Sequence, residues 1–289
     1  MSSKNKRPRL VPRKGEKFKI VRIGHERILF RDLYVHLLSM HWLPLLIIVA
    51  AVYLLSNVFF ATIYWVDGVG IENAQQFVDY FFFSVQTMAT IGYGKMVPRD
   101  MLANSLVTVE AFWGFGYFAF VTGLVFAKFS RPTAQVLFSD VAVISDFEGT
   151  PHLKIRLANQ RKNRIVDAHA SLYMLRDTIT KEGYAFRQIH DLKLVRDHTP
   201  LLSLTWTLLH KIDEHSPLHG ATSEELCKRG DEIIIGLVGL DETLSQTIHA
   251  HHSYVAEEMI YDAFFEDVLI REEGRVEVNY TLFHKVKVG

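Results

Sequence analysis

Two long apolar stretches, each able to cross a bilayer and separated by a short segment, constrain this chain more than any other feature. Leu43 to Val66 is 24 residues without a formal charge, and at about 1.5 Å per residue it spans the roughly 30 Å hydrocarbon core. Trp42 at its start and Tyr64 and Trp65 at its end suit the two interfacial belts. Pro44 falls in the first turn, where its missing N–H costs no helical hydrogen bond. The second stretch runs from Met101 to Phe129, ends at Lys128 and Arg131, and is stopped by Pro132. Its single acid, Glu110, lies at membrane depth and must face protein or water. It is either a structural partner of the intervening segment or a pore-facing charge, and the structural role is the expectation.

Between the stretches, Phe77 to Met88 (FVDYFFFSVQTM) reads as an amphipathic helix too short to cross. A re-entrant helix fits that length if it packs inside protein or lines water, and its C-terminal carbonyls would favour a cation. A surface helix is the alternative. The hydrophobic positions and the abutting Thr90-Ile91-Gly92-Tyr93-Gly94 argue against it. Glycines 92 and 94 permit backbone angles that a Cβ resists, so that successive carbonyls can turn to one axis. In TVGYG loops such carbonyls replace the hydration shell of K⁺. Ile91 in place of Val keeps a β-branched side chain, Tyr93 is expected to brace the loop from behind, and the Thr90 hydroxyl can add to the lowest ion site. Bound K⁺ is therefore expected at Thr90, Ile91, Gly92 and Tyr93. One loop supplies a quarter of a ring, which demands a homotetramer.

Charge is balanced overall but not along the chain. The first 31 residues hold eleven Lys or Arg against Glu16 and Glu26, whereas residues 67–100 hold only Lys95 and Arg99. The positive-inside rule then puts both termini in the cytoplasm of a multi-pass protein, expected in the cell inner (plasma) membrane. The basic tail, with Pro8 and Pro12 ahead of a span, fits a cytoplasmic tail better than a nucleic-acid arm. No cleavable signal peptide is expected. The single cysteine, Cys227, excludes a disulfide within the chain and fits a reducing compartment.

Ahead of the first span, Phe30, Leu33, Tyr34, Leu37 and Leu38 share one helical face, the pattern of a slide helix at the membrane surface. Beyond about residue 138 the texture changes to short alternating runs: 141–145, 153–157, 168–175, 189–195, 203–208 and 233–238, with turns at Glu148-Gly149-Thr150-Pro151 and Lys181-Glu182-Gly183. That spacing indicates a β-sandwich of immunoglobulin-like form. The expected organisation is a basic tail over 1–29, a slide helix over 30–42 and a pore domain over 43–131. Within the last lie an outer helix (43–66), a pore helix (77–88), the filter (90–94) and an inner helix (101–129). A linker over 132–137 leads to a cytoplasmic β-domain over 138–289. The fold class is thus membrane α plus all-β: a two-transmembrane-helix tetrameric pore with a re-entrant pore helix and selectivity filter, joined to a cytoplasmic immunoglobulin-like β-sandwich. Strand alternation places His249 and His251 on one face and His252 on the other, which is not a zinc pattern. Imidazole titration leaves a pH role open.

Taken with this layout, several long collinear segments resemble the inward-rectifier potassium channels, and most closely their prokaryotic (KirBac) branch. They include FFFSVQTMATIGYG, LVTVEAFWGFGYFAFVTGLVFAKFSRPTA, VISDFEG, IHDLKLVRDHTPLLSLTW, HKIDEHSPL and HSYVAEEMI. The resemblance implies a gate where inner helices converge, with Phe118, Thr122 and Phe126 on one face and Phe126 at the bundle crossing. It implies a hinge at Gly114, for which close helix packing is an equal alternative. Residues 239–247 (GLDETLSQT) correspond to a loop narrowing the cytoplasmic pore, where Gly239 and the acids Asp241 and Glu242 are the named positions. Arg27, Arg31, Lys128 and Arg131 form a basic collar for anionic phospholipids. The eukaryotic cluster of cations is missing after Arg131-Pro132, so inhibition by phosphoinositide is expected rather than activation. Strong rectifiers carry an acid where Phe118 stands, so rectification by Mg²⁺ or polyamines is expected to be weak. Block by those ions or by Ba²⁺ is the family's pharmacology. The Glu paired to a base behind the family's filter is replaced here by Gln86 and Lys95.

No nucleophile with a base at a recognisable spacing, no P-loop and no metal-ligand pattern is visible, so no enzyme and no organic cofactor are expected. A two-span membrane receptor and a non-selective cation channel are the competing readings.

Overall fold

The computed structural model describes residues 33–68, 70–130, 134–272 and 275–289. The chain divides into two compact units, one holding the helices through Arg131 and the other the β-rich remainder from Pro132.

The helical unit opens with α1 (Leu33–Ser39), followed by α2 (Trp42–Asp67), a short strand β1 (Ile71–Glu72), α3 (Phe77–Met88), β2 (Val97–Pro98) and α4 (Met101–Phe129). Both long helices have the length and composition of membrane spans. The slide helix, expected to run to residue 42, stops short of that end. It ends at Ser39, because His41 is extended (φ −65°, ψ 161°) and starts a new helix at Trp42. Residues 1–32, including Arg27 and Arg31, and Arg131 lie outside the described residues, so the expected lipid collar is described only at Lys128.

Helix ends follow their caps. Asp100 is extended and its carboxylate accepts from Ala103 N at 2.7 Å, fixing the start of α4. Asp79 turns back to accept from the N–H groups of Gln75 and Gln76, both at 2.9 Å, so α3 begins at Phe77. Gly68 ends α2 in the left-handed region (φ 71°), where a Cβ would be strained.

The second unit is a two-sheet sandwich. Its first half comprises β3 (Val136–Phe138), β4 (Ala142–Phe147), β5 (Thr150–Asn159), β6 (Ile165–Ile179), β7 (Ala185–Asp191), β8 (His198–Leu202) and β9 (Thr205–Lys211). A short helix α5 (Ser223–Arg229) precedes β10 (Glu232–Asp241) and β11 (Gln246–Val255). The remaining strands are β12 (Met259–Tyr261), β13 (Ala263–Phe265), β14 (Leu269–Glu272), β15 (Arg275–Val278) and β16 (Val286–Val288). One sheet runs β11-β10-β6-β7 with β8 also on β6. The other runs β12-β4-β5-β3 with β9 on β5. Ile144, Leu153, Ile155 and Leu157 belong to one buried cluster with Leu172, Met174, Ile233, Ile235 and Leu237. Burial of such side chains contributes about 1.5–3 kcal/mol each.

Three expectations for this unit change. Strand pairing already begins at Val136, so 132–137 is not wholly linker. The run 203–208 begins in a bend: His198–Leu202 before it pairs with β6, whereas Thr205–Lys211 crosses to pair with β5. The run 189–195 is late, since the strand ends at Asp191. Residues 246–255, QTIHAHHSYV, form one strand that carries the three histidines and takes up the end of the expected 239–247 loop.

Candidate functional site

The filter segment leaves the C-terminal end of α3 tied to it. Thr90 N donates to Thr87 O at 3.0 Å and Ile91 N to Gln86 O at 2.8 Å, which holds the start of the loop on the axis of the short helix. Its backbone then alternates in hand. Thr90 (φ 58°), Gly92 (φ 58°) and Gly94 (φ 78°) are left-handed, and Ile91 and Tyr93 between them are not. In an ordinary strand successive carbonyls point to opposite sides. Alternating the handedness offsets that reversal, which lets the carbonyls of the run turn to one side. Glycine adopts such angles without cost; Thr90 pays the penalty of a Cβ in the left-handed region, about 1–2 kcal/mol. Glycine at 92 and 94 was readable from sequence, but strain at Thr90 was not.

Beyond the filter the chain is fastened again. Asn73 Nδ2 donates to Lys95 O at 2.8 Å, β1 pairs with β2, and Arg99 N donates to Gly70 O at 2.8 Å.

Behind the filter lies a polar network that is wholly buried. Tyr64 of α2 donates its hydroxyl to Glu110 Oε2 at 2.7 Å. Ser84 of α3 lies between Glu110 Oε1 and Asn57 Oδ1, and Asn57 Nδ2 donates to Tyr53 O at 2.8 Å and reaches Met88 Sδ at 3.5 Å. Asn57, Ser84 and Glu110 have no exposed surface. A carboxylate at membrane depth is tolerable when hydrogen-bonded within protein, and Glu110 here joins all three helices. Its partners could not be read from sequence because they come from two other elements.

Gly114 sits against the same helix end. A Cβ there would lie 2.7 Å from Met88 O, a backbone atom, so the absent side chain is required for close packing of α4 on α3.

Along α4, Glu110, Trp113, Tyr117 and Leu124 turn to α2: Trp113 Nε1 donates to Ser56 Oγ at 3.1 Å, Tyr117 Oη donates to Val49 O at 2.8 Å, and Leu124 packs with Leu45. Thr122 and Phe126 lie on the other flank, where Phe126 is 71% exposed in the single chain. Phe118 is intermediate in direction, its ring 6.2 Å from that of Tyr53. Lys128 is not a free surface cation: its ammonium donates to Leu38 O at 3.1 Å and to Met40 O, and lies 5.2 Å from the Trp42 ring. It closes the C-terminal end of α1.

In the β-unit, residues 239–247 do not form one loop. Gly239 to Asp241 belong to β10 and Gln246 to β11, leaving a four-residue turn from Glu242 to Ser245. Gly239 lies at a bulge in the pairing of β10 with β6, where a Cβ would meet Ile165 Cγ2 at 2.5 Å. Asp241 is buried, with Oδ2 3.3 Å from Arg161 Nη1 and Oδ1 accepting from Thr243 N and Leu244 N. Burial would raise its carboxyl, but the Leu244 N–H, the Asn163 side chain, the Thr243 N–H and Arg161 outweigh it and hold the group below the ordinary carboxylate range. It builds the turn and is not an exposed cation-concentrating acid. Glu242 is exposed, 3.9 Å from Arg164. His249 and His251 share an exposed face, and His252 turns inward to stack on Phe138 with centroids 5.3 Å apart.

Two spans bracketing a re-entrant helix and a carbonyl-lined loop define a pore-loop ion channel subunit in a membrane, with a β-sandwich as its second unit. A family model of the inward rectifier potassium channel C-terminal domain matches residues 136–288, and an ion channel model matches residues 47–131. The chain is 43% identical over 285 residues to the inward rectifier potassium channel Kirbac3.1 of Paramagnetospirillum magnetotacticum, covering 97% of this chain and 96% of that one. It is 32% identical to inward rectifier potassium channel 4 of Mus musculus and 31% identical to inward rectifier potassium channel 18 of Homo sapiens. Each match covers 88% of this chain and 66% and 64% of the respective relative. The chain belongs to the inward rectifier potassium channel family and is an ion channel, not an enzyme. Channels of this family are generally tetrameric.

Proposed function

We propose that four copies of this chain conduct K⁺ passively and selectively through the ring formed by Thr90, Ile91, Gly92, Tyr93 and Gly94. The observation that carries the reading is the alternating backbone hand at Thr90, Gly92 and Gly94, which turns consecutive carbonyls to one side. Gating occurs lower down, where rings of Phe118, Thr122 and Phe126 converge and bulky apolar side chains close the path by steric block and dewetting. The exposure of Phe126 on the flank of α4 away from α2 supports this, since that face is left for other copies. Gly114 supports this arrangement by letting α4 pack closely on the end of α3, and the hairpin turn carrying Glu242 narrows the path through the β-domain. The termini lie in the cytoplasm, by the charge asymmetry of the sequence. Anionic lipids act at the cationic end of the spans, and phosphoinositide inhibits, because cations are sparse after Pro132.

Rubidium uptake into liposomes containing the purified tetramer tests the reading. Uptake driven by a K⁺ gradient, little Na⁺ flux, and reduction on adding phosphoinositide are expected. Gly92→Ala removes the freedom for φ 58° and should abolish uptake with the β-domain still folded by circular dichroism. Equal Na⁺ flux would point to a non-selective cation channel, and no flux in phosphoinositide-free lipid to a two-span receptor.

A further inference from the structure

Among the described residues, one group of side chains has the composition and spacing of a metal site, and sequence gave no sign of it. Asp167, His169 and His198 each offer one ligand atom, and these atoms lie within 4.8 Å of one another. Asp167 Oδ1 is 2.8 Å from His198 Nε2 and 3.4 Å from His169 Nε2. The two imidazoles stack with centroids 4.5 Å apart and an interplanar angle of 24°.

Strand pairing builds this cluster. His169 of β6 is directly opposite His198 of β8. On a regular strand, residues 167 and 169 point to the same face. Asp167 lies where the pairing of β6 with β8 skips from Val166 to Ala168, and its own backbone is left-handed (φ 51°). The result is three donors from two strands converging on one exposed point. The competing cation, Arg196, is engaged elsewhere: its guanidinium donates to His198 O and to Thr199 Oγ1, both at 2.9 Å.

We infer that Asp167, His169 and His198 form a binding site for a borderline divalent transition ion of the Zn²⁺ or Co²⁺ class, with water completing its coordination. Two imidazoles and one carboxylate suit such ions; Mg²⁺ and Ca²⁺ prefer oxygen donors. With metal–ligand bonds of about 2.0–2.2 Å, tetrahedral ligands lie roughly 3.3–3.6 Å apart. The 3.4 Å separation already meets this, the 2.8 Å contact needs to open by roughly 0.5–0.8 Å as the ion replaces the shared proton, and the two imidazole nitrogens lie within 4.8 Å of each other. The remaining coordination position stays open to solvent, as in sites with three protein ligands.

The site's place gives an ion leverage. Leu240 pairs with Val166 and Asp241 with Ile165, on the β10 side of the same short stretch of β6 that carries Asp167. A metal there would pin β8 to β6 at the root of the turn from Glu242 to Ser245.

The test uses the full-length, tag-free tetramer in detergent, titrated with Co²⁺ and followed by its visible absorption, then with Zn²⁺ by calorimetry. One ion per chain is expected, with the intense absorption of a four- or five-coordinate Co²⁺ site, displaced by Zn²⁺ and not by millimolar Mg²⁺. Asp167→Asn and His198→Ala should each weaken binding at least tenfold. His249→Gln with His251→Gln, on the same exposed face but outside the cluster, should leave the stoichiometry at one. All the substituted side chains are exposed or half-exposed, and circular dichroism checks that each variant folds. No saturable binding, or binding that survives the paired Asp167→Asn and His198→Ala change, would overturn the site and leave these residues as a hydrogen-bonded cluster only.

Discussion

Glu110 shows how much a single residue can carry in this protein. It accepts from Tyr64 and Ser84 in a site without water-accessible surface, so removing it leaves the Tyr64 hydroxyl unpaired and Ser84 with Asn57 Oδ1 as its remaining acceptor. Each unsatisfied buried donor costs about 1–3 kcal/mol. Glu110→Ala should therefore lower the thermal stability of the tetramer more than Glu110→Gln, whose amide oxygen still accepts one hydrogen bond. Rubidium uptake should fall in the same order. Equal stability of the two variants would show that the network does not hold the filter helix. Asp241 makes a separate prediction in the β-unit. Its carboxyl is held below the ordinary range by the turn N–H groups and Arg161 in spite of burial, so its folded pKa is depressed relative to the unfolded chain. The associated stability is fully present above the unfolded pKa and lost as pH falls through the folded value. Wild type should be more stable than Asp241→Asn at neutral pH, and the gap should close in acid. A gap that is constant with pH in denaturant unfolding would contradict the assignment.

At the scale of elements, legibility followed the strength of the local signal. The short helix runs Phe77–Met88 and the inner helix Met101–Phe129; Asp79 and Asp100 cap their starts, and caps ahead of long apolar runs are signals a sequence carries locally. The strands were harder. β5 is buried along most of its length, and its polar residues hide this: Lys154 donates to Ser145 Oγ at 2.9 Å, and the Arg156 guanidinium lies 4.6 Å from the Phe265 ring. Cations on a buried face erase the alternation on which strand reading depends. The filter was visible because its chemistry is local to five residues. Asp167, His169 and His198 were not, because only pairing of β6 with β8 brings them together. Gly114 is an element-scale test. Its missing Cβ lets α4 approach Met88 O, and Gly114→Ala should cost about 1–3 kcal/mol of overpacking. Gly116→Ala and Gly123→Ala meet nothing within 4 Å in the same chain and serve as controls. A drop in tetramer melting temperature confined to Gly114→Ala, with uptake reduced in step, separates packing from a hinge, which would slow gating at unchanged stability.

The whole molecule adds what no single chain contains, since in the proposed tetramer fourfold repetition turns each pore residue into a ring. A ring of acids on the inner helix would hold a polyamine by summed attraction in a space where charges are poorly screened. The resemblance places Phe118 at that position, so the proposed tetramer would lack such a ring, and its outward current should be blocked only weakly by spermine applied from the β-domain side. Phe118→Glu restores four carboxylates at one level of the pore. Apparent spermine affinity should then rise about tenfold or more, equivalent to at least about 1.4 kcal/mol of binding, and block should steepen with voltage. Planar-bilayer recording of both proteins in the same lipid measures this directly. Strong voltage-dependent block of the wild type that survives neutralising Glu242 would place the polyamine site elsewhere in the path. A Phe118→Glu channel that conducts but gains no affinity would show that residue 118 faces Tyr53, whose ring centroid lies 6.2 Å away, rather than the pore.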